Sequence, residues 1–277
     1  MKGISTGMKT FLSTEEKEQL LNECFRDVYL PIDVHYYDRV TSTNTVLMEM
    51  GVAGAQEGTL VAADQQTAGK GRRGRSFYSP EHTGVYFSVL LRPQFSMREA
   101  LMITAAAAVA VARAIEQLVG AEPAIKWVND LFLHGKKVCG ILAEAFLQGP
   151  NPFVVLGIGV NLMDPPGGYP ADARNQIGSL FGTGACDREF GCRLIGQTLS
   201  HFFDIYHKLP ERTFMQEYRS RSCVINQKVL LISPDTERSA YVLDIDDEAQ
   251  LVVRLDDGTV EKVNTGEISI RLPRASQ

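Results

Sequence analysis

Gln65-Gln66-Thr67-Ala68-Gly69-Lys70-Gly71-Arg72-Arg73-Gly74-Arg75 places three glycines and four cations in one loop. Gly69, Gly71 and Gly74 satisfy the spacing GxGxxG, and the strand-like Thr59–Ala63 precedes them, so a dinucleotide-binding fold has to be weighed. That fingerprint needs a helix opening at the third glycine, because the pyrophosphate rests on the helix N-terminus. Here the chain continues Ser76-Phe77-Tyr78-Ser79-Pro80, aromatic and stopped by proline, which is no helix start. The phosphate loop of nucleoside triphosphatases fails as well, since Gly69-Lys70 is followed by Gly71 rather than Ser or Thr. What remains is a tight loop whose glycines let backbone curl round a ligand. Its cations offer charge-assisted bonds to a phosphate or carboxylate. Such a loop, empty, repels itself and orders round an anion. The plain alternative is a solvated basic turn.

Charge placement supports a small-anion site. The 277 residues carry 28 Lys and Arg against 33 Asp and Glu, a net charge of −5, with 44% hydrophobic residues. That apolar fraction excludes disorder, and the modest Gly and Cys counts exclude collagen-like and disulfide-scaffold chains. Asp235 to Glu261 holds nine acids against Arg238 and Arg254, so the rest of the chain is slightly basic. A general nucleic-acid binder would be basic overall or over one face. The five cysteines are odd in number and form no CxxC, which fits reduced cytosolic thiols. The N-terminus has no apolar run before its acidic cluster, so no signal peptide is expected. Ala100–Ala112, the longest apolar run, falls short of the ~20 residues that span a bilayer and reads as a buried helix. A cytoplasmic protein without membrane or nucleic-acid partners is expected.

Outward from the loop, periodicity predicts a short helix after Ser13-Thr14-Glu15-Glu16, a strand at Val34–Tyr37 and a helix at Val46–Met50. Strands follow at Thr59–Ala63 and Gly84–Leu91, then a long helix over Arg98–Val119 closed by Gly120. Ala124–Val128 and Lys137–Phe146 read as strands flanking a turn at His134-Gly135, and Phe153–Leu162 as a strand. Arg188–Leu209 restores helical spacing. After Val224 the texture changes to five short strands, Lys228–Ser233, Ala240–Ile245, Leu251–Leu255, Thr259–Val263 and Ile268–Arg271, as in a small SH3-like barrel. The expected division is an N-terminal helical extension at 1–33, a catalytic domain at 34–223 and the barrel at 224–277.

Three further clusters each have an ordinary reading. Ser42-Thr43-Asn44 precedes a helix and reads as an N-cap. Lys126-Trp127-Val128-Asn129-Asp130 holds the only tryptophan, which reads as a core residue beside a solvated lysine. Gly157-Ile158-Gly159-Val160-Asn161 puts two glycines in an apolar strand, through tight packing or close approach of a ligand.

Together and in order, these clusters resemble the biotin protein ligases. Gly135-Lys136-Lys137-Val138-Cys139-Gly140-Ile141-Leu142 and the terminal Gly266-Glu267-Ile268-Ser269-Ile270 also have counterparts in that family. The resemblance covers about residues 34–271. It implies an α/β fold with a mixed-sheet catalytic domain, shared with lipoate ligases, followed by an SH3-like barrel. It implies biotin as substrate, ATP and Mg²⁺ as cofactors, and a biotin carboxyl carrier domain as acceptor, with the enzyme a monomer or homodimer. Ser42, Thr43, Asn44, Gln66, Gly69, Lys70, Arg72, Lys137, Gly140 and Gly157 match biotin-binding positions. Arg72, Arg75, Phe77, Lys126, Asn129, Asp130 and Asn161 match ATP-binding ones, with Asp130 in the Mg²⁺ neighbourhood. Lys137 and Arg72 match the catalytic cations. Two departures stand out: Val128 replaces a usual proline, and Lys70 replaces a frequent arginine and offers no bidentate fork. The stretch before the first strand predicts one helix, too little for the winged helix-turn-helix of ligase-repressors. Lipoate ligation, a non-catalytic adenylate sensor and a DNA-binding repressor are the competing expectations.

Overall fold

Alternation along the strands sorts the chain into layers. In the computed structural model, residues 11–26, 28–93, 100–148, 151–171, 176–232, 236–264 and 269–271 are described. A seven-stranded sheet runs in the order β1-β2-β3-β7-β6-β5-β4. Its strands are β1 (Asp33–Val40), β2 (Thr59–Gln66), β3 (Gly84–Leu91), β4 (Ala124–Lys126), β5 (Asp130–Leu133), β6 (Lys136–Phe146) and β7 (Phe153–Asn161). Only β1 and β2 pair in parallel. Because successive strand residues face opposite sides, Leu60, Ala62, Val89, Val154 and Leu156 enter one core, while Val61, Leu90, Phe153 and Val155 enter a second.

The larger core lies under α1 (Thr14–Cys24), α3 (Ala100–Val119), α4 (Phe190–Tyr206) and α5 (Met215–Ser220). The smaller lies under α2 (Thr43–Val52), whose Leu47 is buried there. Among the described residues one helix, Leu101–Val119, is long and apolar enough to cross a membrane. It packs instead against α4 and β6, and its alanines are buried. Alanine lets helix and sheet approach closely at no side-chain entropy cost.

The N-terminal helix is built into this core. Ser13 and Glu16 form a reciprocal capping box. Lys17 Nζ reaches both Asp64 oxygens at 2.7 and 2.6 Å, and the Tyr36 hydroxyl donates to the same carboxylate at 2.9 Å. Burial, then the Asp64 charge, push the Tyr36 phenol well above its ordinary range.

Where the expected strand Ala124–Val128 stood, β4 ends at Lys126 and a separate β5 follows. The chain reverses over residues 127–129, so that Lys126 pairs antiparallel with Asp130; the expected turn at His134 and Gly135, with φ of 51° and 75°, then joins β5 to β6. Two consecutive left-handed residues close a two-residue hairpin, so the paired strand must run directly into it. The short α5 was not anticipated either. After Val224 a five-stranded antiparallel sheet forms in the order β11-β10-β9-β8-β12. It comprises β8 (Lys228–Ile232), β9 (Glu237–Ile245), β10 (Leu251–Leu255), β11 (Val260–Val263) and β12 (Ser269–Arg271). This is the expected architecture of a mixed sheet followed by a small barrel-like β unit. Arg98, Asp235 and the Gly266-Glu267-Ile268 part of the terminal motif lie outside the described residues.

Candidate active site

The cleft opens on the α2 face of the sheet, beyond the N-terminus of that helix. Its floor is glycine. Gly159 pairs with Gly140 across β7 and β6, and Gly157 pairs with Ser88 and Leu142. The Phe77 ring lies over the first pair: a Cβ on Gly159 would stand 2.5 Å from it, and one on Gly140 2.9 Å. Side chains at these two positions would fill the space the ring occupies.

One end of the cleft is a buried polar network. Ser42 sits at the N-cap of α2 in extended backbone, yet its side chain makes no capping bond, and it is 2% exposed. The ordinary N-cap reading therefore fails, and Ser42 lines the cleft instead. Thr43 donates from its backbone N and its hydroxyl to Gln66 Oε1, at 2.9 and 3.2 Å. Gln66 Nε2 donates to Ser79 Oγ at 2.9 Å. Ser88 Oγ lies 2.7 Å from Thr43 Oγ1 and 2.6 Å from Asn44 Oδ1. Asn44 Nδ2 donates to Glu144 Oε2 at 2.8 Å. A set of mutually bonded hydroxyls and amides fixes where donors and acceptors point, which suits a polar ring held in several directions.

The other end is cationic. Lys137 Nζ pairs with Asp130 Oδ1 at 2.7 Å and stands 5.8 Å from the Phe77 ring centre. Arg72 Nη1 donates to Asn129 Oδ1 at 3.3 Å. Burial, then the adjacent Arg73 charge, lower the Arg72 pKa, while the Asp130 carboxylate acts in the opposite direction. Lys70 Nζ is 3.7 Å from Glu144. The loop is tied across its neck, Gly71 N donating to Arg75 O at 2.7 Å and Phe77 N to Gly69 O at 2.8 Å. A 3-10 turn at Arg72–Gly74 replaces the helix of a dinucleotide fold, with Arg73 and Gly74 at φ of 58° and 71°.

Of the positions singled out from sequence, Ser42, Thr43, Asn44, Gln66, Lys70, Arg72, Phe77, Asn129, Lys137, Gly140 and Gly157 line this one cleft. Five others are not part of its lining. Gly69 backs Gln66, where a Cβ would meet Phe77 O at 2.4 Å. The Arg75 side chain is exposed. Lys126 stacks over Phe132 at 5.5 Å, and burial lowers its pKa. Asp130 reaches the cleft through Lys137. Asn161 is buried and donates to Gly178 O at 2.9 Å, and Gly178 N donates to Lys137 O at 2.9 Å, so Asn161 pins the strand that carries Lys137. Sequence reading missed Ser88, Glu144 and Gly159. Gly159 was inside a motif already noticed; the other two carry no local signal.

The profile of the Biotin/lipoate A/B protein ligase family matches residues 36–161, and that of the Biotin protein ligase C terminal domain matches residues 224–271. The "Biotin--[acetyl-CoA-carboxylase] ligase" of Mycobacterium tuberculosis is 31% identical over 234 residues, 82% of this chain and 85% of that one. The chain belongs to the biotin protein ligase family. Another family relative, the "Bifunctional ligase/repressor BirA" of Bacillus subtilis, is 40% identical over 146 residues; these cover 52% of this family member and 45% of that protein. The fold is that of the solved "Biotin protein ligase from Aquifex aeolicus in complex with biotin and ATP". The TM-score is 0.70 at 24% identity, covering 87% of this biotin protein ligase family chain and 99% of that one.

Proposed function

We propose that this chain is an AMP-forming biotin–protein ligase. The observation that carries the reading is one cleft with a buried hydrogen-bonding pocket at one end and Lys137 with Arg72 at the other. A polar ring held by Ser42, Thr43 and Gln66 would direct its carboxylate over the glycine floor towards those cations. A carboxylate oxygen then attacks the α-phosphorus of ATP, forming the acyl–phosphate bond while the bond to pyrophosphate breaks. In the second step a lysine amine of the acceptor attacks the acyl carbon. An amide forms, AMP leaves and the amine loses a proton.

Approach of a carboxylate to a polyphosphate is opposed by charge, and Lys137 and Arg72 would offset that repulsion at the α-phosphate. The Asp130 carboxylate beside Asn129 suits Mg²⁺, an ion that keeps most of its ligands as water and phosphate oxygens and would neutralise triphosphate charge. Phe77 would present its ring to the adenine side. The loop closing over the cleft would keep water from the anhydride.

The same reading divides the chain into an extension at 1–33, a catalytic unit at 34–223 and a barrel at 224–277. It places the protein in the cytoplasm as a monomer or homodimer without a nucleic-acid partner. Its acceptor is a biotin carboxyl carrier domain, a reading supported by the relatives that are biotin--[acetyl-CoA-carboxylase] ligases. The test supplies ATP with biotin or lipoate, measures pyrophosphate release, then follows label into a carrier domain. Release with biotin is expected; release with lipoate alone reassigns the substrate.

Arg72→Gly removes one charge-assisted contact to the adenylate. It is expected to speed escape of the adenylate by about tenfold, the equivalent of ~1.4 kcal/mol. Retention of labelled adenylate on a gel-filtered enzyme measures this, and an unchanged escape rate removes Arg72 from that role.

A further inference from the structure

The acidic surplus of residues 235–261 has two readings, a solvated face or a docking surface for the acceptor. The structure spends much of it elsewhere. In the turn between β9 and β10, Asp246 pairs with Lys262 at 2.8 Å, Asp247 with Arg219 at 2.9 Å, and Glu248 with Arg212. Arg212 and Arg219 belong to the catalytic side of the molecule. Arg219 also donates to the Ile245 carbonyl at 3.0 Å.

The turn is shaped from within as well. Asp246 Oδ1 accepts from Glu248 N and Gln250 N at 3.0 and 2.8 Å. Ala249, completely buried, is held at φ of 55°, a left-handed conformation that a non-glycine residue adopts only when its surroundings impose it. The Ala249 carbonyl accepts a 2.8 Å hydrogen bond from Trp127 Nε1. Trp127 is buried and stands two residues before Asn129. The following carbonyl, of Val128, is held by the Tyr218 hydroxyl at 3.1 Å, and Tyr218 neighbours Arg219 on α5. Asn129 in turn bonds Arg72 and Ile141, and Asp130 pairs with Lys137.

We propose that the β9–β10 turn is a strut for the nucleotide edge of the cleft, with Trp127 the positioning residue that transmits it to Asn129 and Asp130. The proposal rests on reading the cleft as an adenylate-forming site. Among the described residues Thr43 and Gln66 bond to each other and to Ser79 and Ser88 rather than to Trp127, Asn129 or Asp130, so the larger effect of the strut is expected on ATP. A buried acceptor left without its donor is costly, and some of that cost would appear as displacement of the residues next along the chain.

Two variants test it. Trp127→Phe keeps an aromatic side chain, though a smaller one, and deletes the N–H. Arg219→Ala keeps the tryptophan and loosens the turn. Both are expected to raise the ATP KM, Trp127→Phe by about tenfold and Arg219→Ala by less, with the biotin KM held within about twofold. A purely structural role lowers the thermal midpoint and leaves both KM values alone, and that result overturns the proposal. Because Trp127 is the only tryptophan, its emission also reports on the strut without any turnover. In the wild type, ATP is expected to change the emission; in Arg219→Ala the resting emission shifts to the red and the ATP response shrinks. If wild-type protein releases no pyrophosphate with biotin, the ligase reading fails. The strut is then decided by the emission titration, where no response to ATP in the wild type overturns it.

Discussion

Lys137→Ala is expected to lower biotin-dependent pyrophosphate release by about a thousandfold, at the upper end for removing one preorganised electrostatic contact. Two unit charges 4 Å apart interact by about 4 kcal/mol at an effective dielectric of 20. A cation between carboxylate and phosphate therefore decides whether they meet at all. Lys137 is prepared for this before substrate arrives. Its backbone N donates to Gln176 O at 2.8 Å and its carbonyl accepts from Gly178 N at 2.9 Å, with Asn161 holding Gly178. Its ammonium rests on Asp130. Without it, Asp130 faces the incoming anions and adds repulsion where attraction stood. The stem is partly exposed and the backbone bonds do not depend on it, so the fold should persist. Single-turnover pyrophosphate release checks the expectation, and near-normal release would falsify the assigned role. Lys137→Arg separates charge from shape: a planar fork keeps the sign but moves the charge, so intermediate activity is expected.

Much of this site was readable because its pieces lie in short, chemically dense runs. The loop from Gly69 to Arg75 excluded a dinucleotide fold on its own continuation, and the structure replaces the missing helix with a 3-10 turn. Gly157 and Gly159 were visible as interruptions of an apolar strand and Gly140 through the family resemblance, although that Gly140 and Gly159 face each other depends on the register of β6 against β7. What could not be read is what depends on distant partners. Ser88 sits in an apolar strand and gains meaning only from Thr43 and Asn44, more than forty positions earlier. Ser42 resembled a helix cap, and only the structure shows that it makes no capping bond and lines the cleft instead. Asp247 and Glu248 read as part of a solvated run because their partners, Arg219 and Arg212, lie on another part of the chain. The boundary between β4 and β5 differed because the reversal that pairs Lys126 with Asp130 falls inside a stretch whose hydrophobicity runs on unbroken through Trp127 and Val128.

Gly157→Ala separates a glycine required by its backbone from one required by its neighbours. Gly157 does not have a positive φ, so alanine is conformationally acceptable there. The added methyl, however, would stand 1.9 Å from Asn44 Oδ1 and 2.8 Å from its Cγ. Asn44 has nowhere to go without loss, being held by Ser88 Oγ at 2.6 Å and Glu144 Oε2 at 2.8 Å. Retreat of β7 is blocked on both sides by its pairing to β3 and β6. The strain therefore falls on the start of α2, where Ser42 and Thr43 complete the polar pocket. The biotin KM is expected to rise by about a hundredfold, ~2.7 kcal/mol. Overpacking of a buried site is expected to cost about 1–3 kcal/mol of stability. Gly167→Ala, with nothing within 4 Å of its Cβ, is the matched control and should leave both unchanged. Adding Asn44→Ser to Gly157→Ala removes the clash but also the amide, so stability should recover while biotin affinity stays low. If the single variant binds biotin as tightly as the wild type, Asn44 yields freely and the network around it is not what shapes the pocket.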